Sequence, residues 1–525
     1  MNNQMTIRKK PYIVLSSLFI WSLLVFGVIW PWIHQIDRYD LKLSILAHLS
    51  AGIWWAVLLW ALHHLAFQVG ALFIKDSDKI NIRGEQPHIV ILYPTCDDFS
   101  PECCESCLNQ DYNHFRVLVC DDSKSDGYKK QVEKFCKNHK NCTLIRRPNK
   151  TGFKAGNLNY AIENYVEEEW ILLVDADQLL PQDYLSKFVN ALPEKNANIA
   201  FIQASQEPYI NEKSSPFQIV LSPEIQLYYR RDLGVRESFG FIPVLGHGVI
   251  IRRSAWKAVG KFPEIVSEDF AFVLRLAKKK QQGLYLKNAT SYEMFPYDFG
   301  GFMIRLKKFS GGTAELFRKE LFSFLFSSAQ LVEKWDLIMS LFWYVMMPLI
   351  TINGFLGAYV CHNFWKEGIS YIQPVLPYLY TWLLLSIFSL TYSITQGFTK
   401  TLKFYFWSTA IYAAAMPISG LSFLKHMFIP AKFNRTPKNQ EKVKLNITES
   451  FFMIILGIAA VFYGLKWLSP YSPILLGHGV AYLSYPLYNK LNSNSSLGKF
   501  VRLLIYLPGT LLIFALFALW KWGIY

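Results

Sequence analysis

Cysteine is scarce outside one segment. Seven of the eight cysteines lie between Cys96 and Cys142, and the eighth is Cys361. Cys103, Cys104 and Cys107 contain a CxxC, but no second pair and no histidines at ligand spacing accompany them, which argues against a zinc site. Reduced cytosolic thiols are the expectation. A small-residue cleavage site is also missing after the first apolar run, Tyr12 to about Ile33, which follows Arg8, Lys9 and Lys10. That run exceeds a signal-peptide core and reads as a transmembrane helix with its N-terminus inside. Internal repeats and low-complexity tracts are absent. Acidic residues are the minority charge, 39 Asp+Glu against 54 Lys+Arg, for a formal charge of +15. Basic loops facing anionic headgroups account for this balance better than nucleic acid does, and no nucleic-acid partner is expected.

What is abundant is apolar. Hydrophobic residues make up 52% of 525 and aromatics 16%, with 18% charged and a mean hydropathy of +0.17. This mixture predicts a soluble domain joined to a membrane domain. Apolar runs of spanning length fall near 12–33 and 43–74, then near 335–360, 370–394, 403–427, 449–468, 471–488 and 500–523. Three units follow: a helical pair over 1–75, a cytosolic domain over 76–330 and a helical block over 331–525. If 403–427 crossed the bilayer, the basic loop after it, AKFNRTPKNQEKVK, would lie outside. The positive-inside rule places that loop in the cytosol, so 403–427, with Pro417, Gly420, Lys425 and His426, is expected to be interfacial.

Between 84 and 330 the pattern alternates. Apolar runs at 88–93, 115–120, 170–175 and 199–203 are separated by helical segments, which predicts an α/β sheet with parallel strands. Ligands of such sheets bind beyond the carboxyl ends of the strands. Asp121-Asp122-Ser123 and Asp175-Ala176-Asp177 stand at two of those ends. Carboxylates at i and i+2 share a side, so Asp175 and Asp177 suit a hard divalent cation on a diphosphate. A solvated turn is the plainer alternative. Lys154, in TGFKAGN, enters a helix among glycines, as a phosphate ligand would or as any helix start would. Ser267-Glu268-Asp269 precedes another helix and reads as a cap or as a general base for a sugar hydroxyl. Gly246-His247-Gly248 is a turn whose glycines would let backbone approach a sugar.

In this order the residues resemble the processive family 2 glycosyltransferases, the group of cellulose, hyaluronan and chitin synthases. The resemblance spans nearly the whole chain. It implies an α/β GT-A (Rossmann-like) cytosolic domain inserted in a transmembrane helical domain with interfacial helices. Asp121 resembles the nucleoside-contacting carboxylate, Lys154 the lysine of KAGNLN beside the diphosphate, Asp175 and Asp177 the metal-holding DxD with Mg2+ or Mn2+, and Asp269 the base of TED, with Glu268 beside it. Arg305, Lys308 and Phe309 stand where the family has Gln, Arg and Trp of Q(Q/R)xRW; lysine lacks the bidentate fork of arginine. Phe433-Asn434-Arg435-Thr436-Pro437-Lys438 resembles the FxVTxK gating loop of β-glucan synthases, here within 428–446.

The resemblance therefore implies a UDP-sugar donor bound by Thr95, Asp97, Asp121, Asp122, Lys154, Asp175, Lys308, Thr436 and Lys438. The growing polysaccharide acceptor is expected at Phe309, Gly246, His247 and Arg305. The implied function is inverting, metal-dependent polymerisation of a β-glucan-type polysaccharide from UDP-glucose and its translocation across the plasma membrane, in a multi-pass, lipid-embedded protein. Another UDP-sugar, or non-processive transfer to a lipid carrier, is the alternative. A cyclic di-GMP-binding domain is not expected, since no RxxxR with [DN]xSxxG pair is present.

Overall fold

The computed structural model describes residues 8–522 except 31, 33–35, 37–38, 74–85, 194–197, 370–374, 394–396 and 438–442. Eight strands form one sheet: β1 (Ile89–Thr95), β2 (Phe115–Asp121), β3 (Cys142–Ile145), β4 (Trp170–Leu173), β5 (Gln178–Leu179), β6 (Ile199–Pro208), β7 (Val249–Arg252) and β8 (Gln282–Glu293). Their order is β3-β2-β1-β4-β7-β6-β8-β5. The runs IVIL and VLVC are apolar at every position because both faces of the sheet are covered. Val90, Leu92, Leu118, Cys120, Ile171 and Leu173 point into one core that continues to the long apolar helices on either side of this domain in the sequence. Ile89, Ile91, Tyr93, Val117, Val119 and Leu172 point into the other, with the helices Pro101–Leu108 and Tyr184–Ala191.

The expected all-parallel sheet needs correction. β1 pairs in parallel with β2 and β4, and β2 with β3. β7 then runs antiparallel between β4 and β6, and β5 is antiparallel to β8. The reversal follows from the turn at Gly246 and Gly248, whose φ values are +80° and +60°. Glycine takes such angles without strain. They send VIIR back along β4 and set Gly246–Gly248 at the carboxyl end of the sheet.

Among the described residues, four helical segments are long and apolar enough to cross a membrane: Leu41–Gly70, Leu331–Lys366, Ile447–Lys466 and Ser496–Ala518. Tyr12–Val28 and Leu376–Ile387 are shorter apolar helices. Phe398–His426 is one continuous helix that includes Pro417, and it is not among the four. The apolar run at 471–488 is a helix of 13 residues followed by a 3-10 turn.

The two parts of the chain are joined by buried charge. Asp336, on the helix Leu331–Lys366, accepts from Arg236 Nε at 2.9 Å and from the Phe241 amide at 2.8 Å, and lies 3.0 Å from His63 Nε2 on Leu41–Gly70. Arg236 also donates to Ser340 Oγ at 2.9 Å. Asp336, His63 and Arg236 are almost wholly buried. An unpaired carboxylate or guanidinium here is strongly unfavourable, so the pairing fixes the segment 236–241 to two of the long apolar helices. Asp336→Ala leaves Arg236 uncompensated, at about 3–5 kcal/mol by the usual behaviour of broken buried pairs. A clearly lower melting temperature in detergent is the expected outcome, and an unchanged one would overturn this account.

Candidate active site

The carboxyl ends of β1 and β2 carry an acidic group held by arginines. Asp121, the last residue of β2, accepts from the Ser123 amide at 2.8 Å and from Arg146 Nε at 2.7 Å. Arg146 reaches on to Glu133. Asp122 takes a two-pronged contact from Arg147, with Nη2 at 2.7 Å and Nε at 3.1 Å. Thr95 Oγ1 donates to Asp98 at 2.8 Å. Asp97 has a positive φ of 58° and accepts from the Lys124 and Ser125 amides, each at 2.9 Å. Its side chain thus closes the β1 loop against the β2 loop. Thr95, Asp97, Asp121 and Asp122 are brought together at adjoining strand ends, where one nucleoside could be read.

A second group gathers at the end of β4. Lys154 Nζ donates to Asp175 Oδ1 at 2.5 Å and to the Gly246 carbonyl at 2.8 Å. A Cβ on Gly246 would sit 3.2 Å from Asp269 Oδ2 and 3.6 Å from Lys154 Nζ, and the positive φ of +80° favours glycine where these three segments meet. Burial opposes the Lys154 charge, but Asp175, Glu268 and Asp269 outweigh it and raise its pKa. His247 Nε2 lies 3.7 Å from Asp175 and 3.8 Å from Glu293, and its other nitrogen meets Gln206. Glu268 and Asp269 open the helix Glu268–Lys278. Burial, then the neighbouring Asp269 charge, pushes Glu268 up to about 8; burial likewise raises Asp269. The Glu268-Asp269 turn is seated on the helix Phe299–Leu316, where a Cβ on Gly312 would run into Ser267 Oγ.

The same helix carries Arg305, Lys308 and Phe309. Lys308 Nζ lies 5.5 Å from the Phe309 ring centre and 5.3 Å from that of Phe433. Phe433 in turn is 6.0 Å from Phe153, the residue before Lys154. The FNRTP loop therefore lies across the Lys154 end of the cleft. Thr436 Oγ1 is buried there with no hydrogen-bond partner. Lys438 falls outside the described residues. Arg305 guanidinium lies 5.1 Å from the Phe295 ring and 5.4 Å from the Phe309 ring.

No cluster of three or more His, Cys, Asp or Glu side chains suited to a metal occurs among the described residues. Asp175 and Asp177 offer two carboxylates, so a hard cation would draw its remaining ligands from phosphate oxygens and water. That donor set fits Mg2+ or Mn2+, with Lys154 competing for Asp175. The eight cysteines are free thiols.

Three groups were not singled out from sequence. Arg146 and Arg147 hold the DDS carboxylates, and the doubled arginine just past β3 was the available signal. Asp98 lies beside Thr95; burial first, with the Asp177 charge adding to it, raises its carboxyl to about 6, while Arg435 of the loop lowers it. Glu224 has no motif around it, yet lies 3.8 Å from Arg305.

Sheet, strand-end carboxylates and the lysine at the helix start describe a GT-A glycosyltransferase domain flanked by helices able to span a membrane. Residues 170–419 match the family model described as "Glycosyl transferase family group 2". Glucomannan 4-beta-mannosyltransferase 1 of Oryza sativa subsp. japonica is 29% identical over 216 residues, 39% of this chain and 40% of the rice protein. The catalytic subunit of cellulose synthase 1 (UDP-forming) of Komagataeibacter xylinus is 29% identical over 178 residues, 33% of this chain and 23% of that protein. The match thus spans two fifths or less of these relatives' lengths. A solved mannosyltransferase from Pyrobaculum calidifontis, in complex with GDP-Man and Mn2+, aligns at 16% identity and a TM-score of 0.46, covering 72% of this chain and 99% of its own. Family model and relatives together support a family 2 glycosyltransferase.

Gly156 faces the Asp122 clamp. A Cβ there would fall on the Thr151 carbonyl oxygen and the Arg147 guanidinium. Overpacking of this kind costs about 1–3 kcal/mol. Gly156→Ala is expected to lower the melting temperature and weaken nucleotide binding together, as read by thermal shift with and without UDP. A variant with wild-type values for both would contradict the clamp.

Proposed function

We propose that this chain is an inverting, processive glycosyltransferase that builds a β-glucan-type polysaccharide from UDP-glucose and passes it out through its membrane helices. The observation that carries the reading is the meeting of Lys154, Asp175, Gly246 and Asp269 at one strand end, with Lys308 on the adjoining helix. An ammonium, a metal-ligating carboxylate and a buried base in one place suit displacement at a sugar carbon whose leaving group is a diphosphate.

In this mechanism Asp121 and Asp122, held by Arg146 and Arg147, position the nucleoside. Lys154 exchanges its contact with Asp175 for the diphosphate, and Lys308 adds a second cation. A divalent cation on Asp175 and Asp177 would neutralise negative charge on the departing diphosphate. Phe309 stacks the terminal acceptor sugar. Its hydroxyl oxygen attacks the anomeric carbon, the bond to the diphosphate oxygen breaks on the opposite face, and the proton passes to Asp269. The FNRTP loop, with Phe433 against Phe153, covers the bound donor, and Thr436 Oγ1 is placed to donate to it. Transfer by a membrane-embedded enzyme fits the four helices long enough to span.

A second reading, mannosyl transfer, is favoured by several relatives, which are glucomannan 4-beta-mannosyltransferases. Purified protein offered UDP-glucose or GDP-mannose with Mg2+ or Mn2+ separates the two by which nucleotide is released and which sugar the polymer contains. Release of neither would overturn both.

Asp269→Asn is expected to retain nucleotide binding and to lose transfer by about 100-fold or more, the range usual for a removed general base. The pH profile is a separate test. Folded-state values of Glu268 and Asp269 lie above those of free carboxyls, so the protonated pair contributes stability at low pH. That contribution is lost as pH rises through about 8. Proton acceptance by Asp269 runs the other way, so kcat/KM is expected to climb with pH in a limb lying above the range of a free carboxyl. Glu268→Gln removes the like charge and should move that limb to lower pH; an unmoved limb would count against coupling of the two carboxyls.

A further inference from the structure

The Gly246-His247-Gly248 turn is held by two glutamines of β6. Gln203 and Gln206 are fully buried. Residues three apart on a regular strand face opposite sides. The pairing of β6 with β8 slips between Ala204 and Ser205, however, and an irregularity of this kind re-aims a side chain. Both glutamines therefore reach the same turn. Gln203 accepts from the Leu245 amide at 3.0 Å and donates to the His247 and Gly248 carbonyls, each at 3.1 Å. Gln206 donates through Nε2 to His247 Nδ1. Gly248 leaves the room for that amide: a Cβ there would lie 3.0 Å from Gln206 Nε2, 2.9 Å from Gln178 Nε2 and 3.1 Å from the Tyr184 hydroxyl. A neutral imidazole has one N–H donor and one acceptor nitrogen, and the bond made by one decides the other. With Nδ1 accepting from Gln206, the ring proton sits on Nε2. The far side of the ring calls for the same assignment. Nε2 faces Asp175 at 3.7 Å and Glu293 at 3.8 Å, and two acceptor oxygens suit an N–H better than a lone pair. Turning the Gln206 amide over would reverse both relations. At these distances neither carboxylate hydrogen-bonds Nε2. The Asp175 side chain is 30% exposed, so this edge of the ring borders the open cleft.

We infer that Gln206 is a positioning residue that fixes His247 in its Nε2–H tautomer, so that the ring donates a hydrogen bond to a hydroxyl of the hexose being transferred. The inference rests on the transferase reading above and deepens it. A hydroxyl accepts from Nε2 and donates in turn to a carboxylate beside it, which an ionised phosphate oxygen cannot do. Gly246, one residue earlier, holds Lys154 through its carbonyl. Sugar and diphosphate are then gripped from adjoining residues of one turn. Gln206 touches no substrate and acts through the ring. Gln203 holds the main chain of the turn and leaves the ring proton alone.

The test uses the full-length protein in detergent, with histidine isotopically labelled at its ring nitrogens for magnetic resonance. His247→Asn identifies the His247 signals by their loss. At mildly alkaline pH the wild type is expected to carry the His247 proton on Nε2 and none on Nδ1; a proton on Nδ1 would overturn the inference. Gln206→Glu replaces the donor by an acceptor and should draw a proton onto Nδ1. Gln206→Met removes the amide at similar volume. It should lower kcat/KM about tenfold with the nucleotide sugar the protein turns over, as loss of one buried hydrogen bond would. In a His247→Ala background the same change should cost nothing further, because the ring it positions is gone. Equal losses in the two backgrounds would show Gln206 to be a mere prop of the sheet and would overturn the inference. The wild-type spectrum decides the tautomer even where a variant fails to fold, and it needs no substrate. A wild-type protein that releases no nucleotide from any sugar donor would instead overturn the transferase reading, a result separate from the spectrum.

Discussion

Charge that leaves the sheet must be matched, and the rest of the site follows from how it is matched. β1, β2 and β4 are buried on both faces, so the carboxylates at their ends stand at the rim of a dry core. Each is held by a cation from elsewhere in the sequence: Asp121 by Arg146, Asp122 by Arg147, Asp175 by Lys154. In a poorly solvated cleft a lone carboxylate would take up a proton or draw in solvent. Pairing keeps these groups aimed. It also makes the cations exchangeable, because a diphosphate offers lysine and arginine a partner of the same sign as the carboxylate it replaces.

Much of this was legible from sequence. Short apolar runs closed by Asp or Thr marked β1, β2 and β4, because strands covered on both sides leave no polar position to blur them, and the apolar run 199–203 marked the start of β6. β7 and β8 were not read. VIIR is brief and follows a Gly-His-Gly turn, and its direction depends on two positive φ angles that no residue pattern encodes. β8 carries polar residues along its length, since part of it is exposed. Lys154 and Asp269 were visible through local motif. Arg147 and Glu224 were not, because their importance lies in partners 25 and 81 residues away (147 − 122 and 305 − 224). Charge could suggest that 403–427 differs from its neighbours, and hydropathy sets Phe398–His426 apart from the four spanning candidates.

The substituted triad Arg305, Lys308 and Phe309 illustrates how one helix face divides labour. Lys308 turns toward Phe433 and the donor end, whereas Arg305, about one turn earlier, turns toward Glu224 and the membrane helices. A glutamine at 305 could hydrogen-bond but could not bind Glu224 as an ion pair. The local rule broken here is therefore compensated at a distant residue.

The Asp336–Arg236 knot has a mechanical meaning. The stretch that follows Arg236 ends at Gly246, whose carbonyl holds Lys154. One end of this strap is tied to the helix Leu331–Lys366 and the other to Lys154, so a shift of that helix relative to the sheet would be carried along ten residues of chain to the Lys154–Asp175 contact.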